Sequence, residues 1–278
     1  MYGNGNGGSP ASARALLLTV LGEFVLPRRE PVWTGAFVDA LDTLGVEEKA
    51  ARQALARTAA KGLLEPEKHG RRTRWALSPS GVGLLEEGTE RIYGFMRGFH
   101  RWDGRWLVLA VRVPETQRRL RHQLRTRLTW CGMGSPAAGI WVVPDATRVP
   151  EVTRVVRELG VDASAMSWVG PSAGIGEPAQ VVSAAWRLDR AEAAYAEFLA
   201  SFSERRAETH PEAFGAQLEL VQAWRRFPAL DPALPAELLD HDWPGPTAAA
   251  LFHRLHERWH RRAQAHWTTL LTHAESRS

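Results

Sequence analysis

The sequence predicts an α+β protein with three parts along the chain. The chain has 278 residues, more than one hydrophobic core usually supports, so two or three domains are expected. The spacing of apolar residues changes twice, from helical to short apolar strands between helices and back to helical. We therefore expect domains at 11–90, 91–180 and 181–278, after a disordered tail at 1–10.

The composition excludes several classes of protein. Hydrophobic residues make up 44% of the chain, but no apolar run reaches the roughly 18 residues that a membrane span needs. The single cysteine, Cys131, cannot form an internal disulfide, which favours a reducing compartment. The first eight residues are rich in Gly and Asn, unlike a secretory signal. These observations predict a globular protein of the cytoplasm, with no membrane partner.

The first part begins with three helices. Ser12 is a residue type that caps helix starts, and the apolar positions after it follow helical spacing. A second helix is expected to begin near Thr34 and to end at Gly45. The third is predicted over 47–61, and Gly62 can close it.

A basic β-hairpin follows the third helix. Residues 63–68 and 72–78 are predicted to form two strands, and His69 and Gly70 lie at the turn between them. Three helices followed by a basic hairpin are the element order of a winged helix-turn-helix domain. In that domain the third helix enters the major groove of DNA.

The charges of this region fit a polyanionic partner. Residues 49–74 hold eight Lys or Arg against two Glu. The third helix has a narrow apolar side, so most of its surface is free for contact. Arg and Gln can pair with base edges, Lys and hairpin arginines can neutralise phosphates, and small residues permit close approach. The candidate DNA-binding residues are Lys49, Arg52, Gln53, Ala56, Arg57, Arg71, Arg72 and Arg74.

The middle of the chain alternates strands and helices. Its pattern predicts strands at 106–113, 139–143 and 163–169 and helices at 115–130 and 149–159. This order suggests a central ferredoxin-like α/β sandwich. A Gly/Pro-rich stretch at 171–180 is typical of a linker or long loop.

The last part is predicted to be a helical C-terminal domain. Helices are expected at 189–202, 214–227 and 247–272. The segment 227–235 between them is predicted to be too rich in proline to be helical.

Three groups of residues carry a resemblance that extends over nearly the whole chain. They are 49–57 (KAARQALAR), 61–64 (KGLL) and 70–78 (GRRTRWALS); then 102–106 (WDGRW), 132–134 (GMG) and 139–144 (GIWVVP); and finally 227–228 (FP), 231–235 (DPALP), 237–239 (ELL) and 243–245 (WPG). In these residues the chain resembles the PaaX family of bacterial regulators of phenylacetic acid catabolism. Thr58 stands where relatives usually carry leucine, and Leu63 where an aromatic residue is common.

The resemblance implies a transcriptional regulator rather than an enzyme. It implies an N-terminal winged helix, a central domain like that of small CRISPR-associated endonucleases, and a helical C-terminal domain. It also implies a homodimeric repressor of a catabolic operon, released from operator DNA by an aryl-acyl-CoA effector such as phenylacetyl-CoA, and no cofactor or metal.

Such an effector needs cations for its phosphates and a flat surface for its ring. The helix that contains Arg118, Arg121 and Arg125 offers the cations. Tryptophans of the central and C-terminal parts can stack on a ring, and Trp141 is the candidate. These four residues are our hypothesis for the effector site.

Two enzymatic alternatives remain open for the central part. Residues 170–174 (GPSAG) match the nucleophile elbow of hydrolases, which favours an acyl-CoA hydrolase, but Gly174, Gly176 and Pro178 follow where a helix is needed. The second alternative, a metal-dependent nuclease, needs paired carboxylates at the end of the first strand. Arg112 follows Val111 there and Asp103 precedes the strand, so this pattern supports a nuclease only weakly.

Three further patterns have simpler explanations. Gly3, Gly5 and Gly8 match a dinucleotide-binding motif, but no strand precedes them. The trio His253, His256 and His260 has the spacing of one helix face and could bind a metal, although surface histidines are the simpler interpretation. Cys131 is expected to be a buried small hydrophobic residue rather than a nucleophile.

Overall fold

The computed structural model describes residues 12–96 and 101–277. The fold is mixed α+β, as the sequence predicts, with helices and two antiparallel sheets among these residues. The predicted tail at 1–10 and the glycines at positions 3, 5 and 8 lie outside the described residues.

The expected helices and hairpin of the first part are present. Ser12 caps the first helix as predicted, since its hydroxyl accepts a hydrogen bond from the Ala15 amide at 3.3 Å. A short strand before the second helix and a helix after the hairpin were not predicted. The elements are α1 (Ala13–Val20), which continues as a π-helical turn at Leu21–Val25, β1 (Val32–Trp33), α2 (Thr34–Asp42), α3 (Glu48–Ala60), β2 (Leu64–His69), β3 (Arg72–Leu77) and α4 (Pro79–Gly94).

The middle part contains the three predicted strands and one more. The additional strand has the sequence Gly-Ser-Pro-Ala, which lacks the alternation of apolar and polar residues that identifies a strand. The elements are β4 (Arg105–Val111), α5 (Arg118–Trp130), β5 (Gly134–Ala137), β6 (Ile140–Val143), α6 (Val149–Glu158) and β7 (Ala165–Pro171).

The remaining elements are helices, and none of the described helices is long and apolar enough to cross a membrane. The prediction that 227–235 is not helical was wrong for its first turn. Pro228 is the second residue of that turn, where a missing amide costs no helical hydrogen bond. The elements are α7 (Pro178–Ala185), α8 (Leu188–Phe202), α9 (His210–Trp224), α10 (Phe227–Leu230) and α11 (Gly245–Ser276).

The chain forms two compact units. The first contains residues 12–94 with Phe198–Arg226 and 248–277, and the second contains the described residues of 95–197 with Phe227–Thr247. The residues expected to form a separate helical domain, 181–278, are thus divided between the two units.

The core of the first unit joins both ends of the chain. Phe24 and Phe37, from the first helices, are fully buried beside Trp267 of α11, and Phe214 of α9 completes the cluster. The ring centroid of Phe24 lies 4.8 Å from that of Phe214 and 5.7 Å from that of Trp267. The C-terminal helices therefore supply part of the core on which α1, α2 and α3 rest.

A buried polar network lies beside this core. Glu23, in the π-helical turn, is 8% exposed, and its carboxylate accepts hydrogen bonds from the Gln217 amide at 2.8 Å and from the Tyr93 hydroxyl. His256 Nε2 lies 2.9 Å from the same carboxylate. Burial by itself raises the pKa of Glu23, but the bonds and charge of these partners outweigh it, so the pKa is lowered. The network ties α4, α9 and α11 to the end of the first helix.

The second unit is built on the sheet of order β5-β6-β4-β7, in which every neighbouring pair is antiparallel. Leu109 and Trp141 face α5 and α6 across one side of the sheet. Trp106 and Val142 face the other side, which α7 and residues 234–238 cover. Both sides of the sheet are therefore covered at β4 and β6, whereas Met166 and Trp168 of β7 are exposed.

A tight junction sets the hairpin against α3 and α4. The Ser78 hydroxyl donates to the Gly62 carbonyl at 2.5 Å and accepts from the Gly81 amide at 3.0 Å. A Cβ atom at Gly81 would lie 2.1 Å from the Leu63 carbonyl oxygen, so this position in α4 has room only for glycine.

We expect Gly81→Ala to lower the free energy of unfolding by about 1–3 kcal/mol, because the clash is with backbone. Gly83→Ala is the matched control in the same helix. Nothing lies within 4 Å of a Cβ there, and alanine is expected to raise stability by about 0.5–1 kcal/mol. Urea denaturation followed by circular dichroism measures both. Equal effects of the two substitutions would contradict the junction as described.

Glu23 predicts a specific loss of stability in acid. Because its pKa is lowered by folding, its contribution is present above the unfolded value and is lost as the pH falls through the folded value. The gap in stability between the wild type and Glu23→Gln should therefore be widest at neutral pH and shrink below about pH 4. Urea denaturation across this range tests it, with the exposed Glu257→Gln as control. A gap that does not change with pH would exclude this role.

Candidate nucleic-acid interface

The two sides of α3 differ sharply in burial, because one is buried and the other is exposed. Ala51, Ala54, Leu55 and Thr58 are buried, as the periodicity predicts. The Thr58 hydroxyl donates to the Ala54 carbonyl at 2.7 Å, so this buried polar group has a hydrogen-bond partner. The opposite side presents the five candidate residues of the helix, all exposed: Lys49, Arg52, Gln53, Ala56 and Arg57.

The turn between α2 and α3 fixes how the exposed side is presented. Gly45 has a φ of +73°, a left-handed conformation that glycine adopts without strain. The Val46 amide donates to the Leu41 carbonyl at 3.1 Å, and the Gly45 amide to the Asp42 carbonyl at 2.8 Å. This Schellman pattern ends α2 cleanly and allows α3 to start three residues later.

The exposed side of α3 is largely uncompensated in charge. Arg52 Nε donates to Glu48 at 2.7 Å, but both side chains are more than half exposed, so the pair is weak and easily exchanged for another partner. Within residues 12–96 and 101–277, no carboxylate lies within ion-pair distance of Lys49 or Arg57. These cations are available to an external anion.

The hairpin belongs to a sheet of order β1-β3-β2. His69 pairs with Arg72, which leaves a two-residue loop of Gly70 and Arg71, and Gly70 has a φ of +60°. Such a loop requires positive φ at its first residue. Arg71 is exposed at the tip and is the hairpin residue best placed to contact a partner.

The other two hairpin arginines are engaged within the fold. The Arg72 guanidinium lies 3.9 Å from the centre of the Trp33 ring and donates a hydrogen bond to the Ala274 carbonyl at the end of α11. Arg74 forms an ion pair of 3.0 Å with Glu67 across the hairpin. The sequence pattern did not identify these contacts, because Trp33 and Ala274 are distant from the hairpin in sequence.

The four candidate effector residues do not form one pocket. Trp141 is 6% exposed and packs between the sheet and α5, in the same cluster as Leu124. Arg118, Arg121 and Arg125 are exposed on α5. The aromatic ring and the cations thus lie in different environments, one in the core and the others at the surface.

The elbow-like segment is not followed by a helix. Ser172 is exposed just after β7, and its hydroxyl accepts a hydrogen bond from the Gly174 amide at 3.4 Å. Helix α7 starts at Pro178, too late to supply the backbone donors that an elbow needs. Asp103 accepts a hydrogen bond from the Arg105 amide at 2.9 Å and so orders the start of β4.

The remaining candidates have structural roles. Cys131 is 2% exposed, as expected of a small hydrophobic residue. Burial, reinforced by Glu151, raises the pKa of its thiol to about 12. Among the described residues, no group of three His, Cys, Asp or Glu side chains could hold a metal. His256 of the histidine trio belongs to the buried network of Glu23.

An exposed basic helix beside a basic hairpin tip is the signature of a nucleic-acid-binding protein. Three family models match the chain in order: "PaaX-like protein" at 12–81, "PaaX protein central Cas2-like domain" at 99–182 and "PaaX-like protein C-terminal domain" at 186–269. The chain belongs to the PaaX family.

Two individual proteins are similar over most of the chain. Transcriptional repressor PaaX of Escherichia coli (strain K12) is 29% identical over 260 residues, which are 90% of this chain and 81% of the repressor. Among solved structures, uncharacterised protein Rv0674 from Mycobacterium tuberculosis has a TM-score of 0.63 and 23% identity, over 92% of this chain and 99% of its own. The second likeness shows the fold alone.

The two arginines at the hairpin tip should differ when replaced. Arg72→Ala removes a cation–π contact and a hydrogen bond, so we expect the free energy of unfolding to fall by about 1–2 kcal/mol. Arg71→Ala is the neighbouring control, and it should leave stability within about 0.5 kcal/mol of the wild type. Urea denaturation of both variants decides; a destabilised Arg71→Ala with an unaffected Arg72→Ala would reverse the assignment.

Proposed function

We propose that the chain is a DNA-binding transcriptional repressor that inserts α3 into the major groove of its operator. The observation that carries this proposal is the exposed, basic side of α3, directly opposite a side that is fully buried. The similarity to a protein named as a transcriptional repressor supports the same function. Regulation rather than enzymatic catalysis, in the cytoplasm and without a cofactor, is part of the proposal.

The architecture that accompanies this function is a winged helix-turn-helix domain and a ferredoxin-like domain. Support for the first comes from α2, the turn at Gly45 and α3, followed by a hairpin that pairs with β1. Support for the second comes from the β-α-β-β-α-β order of 105–171 and the strand order β5-β6-β4-β7. The helical C-terminal residues then complete both units instead of standing apart as a third domain.

The roles of the candidate residues follow from their chemistry. Arg52, Gln53 and Arg57 can each make paired hydrogen bonds to base edges in the major groove, whereas the small Ala56 permits close approach. Lys49 and Arg71 neutralise phosphates and set the position of the protein on the duplex. Arg72 and Arg74 contribute through the shape of the hairpin, because their guanidinium groups already have partners.

A homodimer would match a palindromic operator. Two copies of α3 on one face of the duplex must reach successive major grooves about 34 Å apart. The family resemblance implies an aryl-acyl-CoA effector such as phenylacetyl-CoA. This effector would favour a conformation in which the distance between the two α3 helices does not match successive major grooves. By linkage, it can weaken DNA binding only as far as it prefers that conformation.

Single substitutions on α3 test the proposal. We expect Arg52→Ala and Arg57→Ala each to weaken operator binding by about 1–3 kcal/mol, because each removes hydrogen bonds to base edges. Arg190→Ala, at an exposed site on α8, is the matched control and should bind as the wild type does. Fluorescence anisotropy with DNA from upstream of the protein's own gene, against a scrambled duplex, measures the affinities.

Two results of this titration would argue against the proposal. Wild-type affinity in both α3 variants would exclude α3 as the recognition helix. Equal binding to the native and scrambled duplexes at moderate salt would exclude a sequence-specific repressor. Repeating the titration with phenylacetyl-CoA separates the effector from DNA binding, since selective binding that the thioester does not relieve would leave the repressor and exclude this effector.

A further inference from the structure

The outer surface of α5 is rich in exposed cations. Arg118, Arg119 and Arg125 are exposed, as is His122 between them. The opposite side of the helix is buried in the core through Leu124 and Leu128. Within the described residues, no carboxylate lies within ion-pair distance of these three arginines. We call this surface, formed by residues 118, 119, 122 and 125, the α5 basic face.

Two of these arginines lie where they weaken their own helix. Arg118 and Arg119 occupy the first turn of α5, which contains no acidic residue. The first turn of a helix carries partial positive charge, so cations there cost stability. By contrast, α3, α6 and α9 have a carboxylate in the first turn, where it is favourable, at Glu48, Glu151 and Glu212.

Neighbouring charges add to the repulsion. Arg121 and Arg125 are four residues apart, and like charges at this spacing destabilise a helix. The arginines at the borders of the face are compensated: Arg127 pairs with Glu158, and Arg121 lies 3.9 Å from Glu115. In the described part of the chain, the arginines of the face itself have no such carboxylate, so they are available to an anion from outside the chain.

The shape of the face selects the kind of anion. Arg118 and Arg125 are seven residues apart, about 10 Å along a helix axis, a length that covers roughly three phosphates of one DNA strand. The face is the convex, exposed side of a helix, whereas small ligands bind in concave sites that bury most of their surface. The ring of Trp141 is on the core side of α5 and cannot stack on a ligand at this face.

We propose that the α5 basic face is a second DNA-contact surface, which binds backbone phosphates without reading bases. The proposal rests on the proposed DNA-binding function and adds to it an electrostatic surface in the second unit. Base-specific contacts remain with α3. The α5 basic face raises affinity for any duplex long enough to reach it.

The test is the salt dependence of DNA binding by full-length protein. Arg118→Ala, Arg119→Ala and Arg125→Ala are combined in one variant, and anisotropy titrations with the operator duplex cover about 50–200 mM salt. The slope of log K against log salt should become shallower by about 0.9 for each phosphate that the variant no longer neutralises. Preference for operator over scrambled duplex should stay as in the wild type, because arginines that bind phosphates do not read bases.

The control combines Arg187→Ala, Arg190→Ala and Arg205→Ala. It removes the same charge from exposed sites where Arg187 and Arg205 already pair with carboxylates. Its slope should match the wild type. Thermal unfolding gives a second readout: the α5 variant should be at least as stable as the wild type, since the unfavourable first-turn cations are gone. A merely structural role for these arginines predicts lower stability instead.

The outcomes separate the two proposals. A wild-type slope in the α5 variant overturns the second surface, while selective wild-type binding that depends on Arg52 and Arg57 still supports the repressor. If the α5 variant keeps the wild-type slope but no longer binds phenylacetyl-CoA, the face is assigned to a nucleotide ligand, and the proposal of a second DNA-contact surface is overturned as well. If the wild-type protein does not bind the operator preferentially, the proposed repressor function itself is excluded, whatever the slope of the α5 variant. A shallower slope in the α5 variant alone supports the proposal.

Discussion

The packing of Phe24 against Phe214 and Trp267 is the contact on which the first unit depends. Helix α3 has little apolar surface of its own, because its buried side consists of two alanines, one leucine and one threonine. Its support must come from α1 and α2, and these rest on the C-terminal aromatic residues. A buried Phe or Trp typically contributes about 3–5 kcal/mol, a large share of the roughly 5–15 kcal/mol that stabilises a typical domain. The basic side of α3 can stay exposed because other elements stabilise the unit.

Sequence reasoning succeeded where local pattern decides the structure. Periodicity alone identified the buried positions of α3, and Ser12 and Gly45 marked helix ends correctly, since capping and left-handed turns are local chemistry. The strands β1 and β5 were not predicted. They are short, and they form only because β3 and β6 lie beside them. The division of the C-terminal helices between two units likewise depends on contacts between distant residues, which no local pattern contains.

In the candidate site, too, features set by local pattern could be predicted and features set by contacts with distant residues could not. Exposure of the α3 residues could be predicted because an exposed side is the complement of a buried one. The roles of Arg72 and Arg74 could not be predicted. In the sequence, an arginine that binds DNA looks the same as one whose guanidinium stacks on Trp33. Trp141 was grouped with three arginines because an aryl-acyl-CoA needs both a surface for its ring and cations for its phosphates. In the fold, the Trp141 ring lies in the core and the arginines lie at the exposed surface of α5. An arginine's function depends on whether the fold supplies it with a partner.

The hydrogen bond from Arg72 to the Ala274 carbonyl has a practical consequence for handling the protein. It anchors the hairpin to the last turn of α11, which ends at Ser276. A purification tag, a fluorophore or a fusion partner attached directly after this helix would lie beside the hairpin. Removing such a tag before a binding assay keeps the hairpin in its own surroundings.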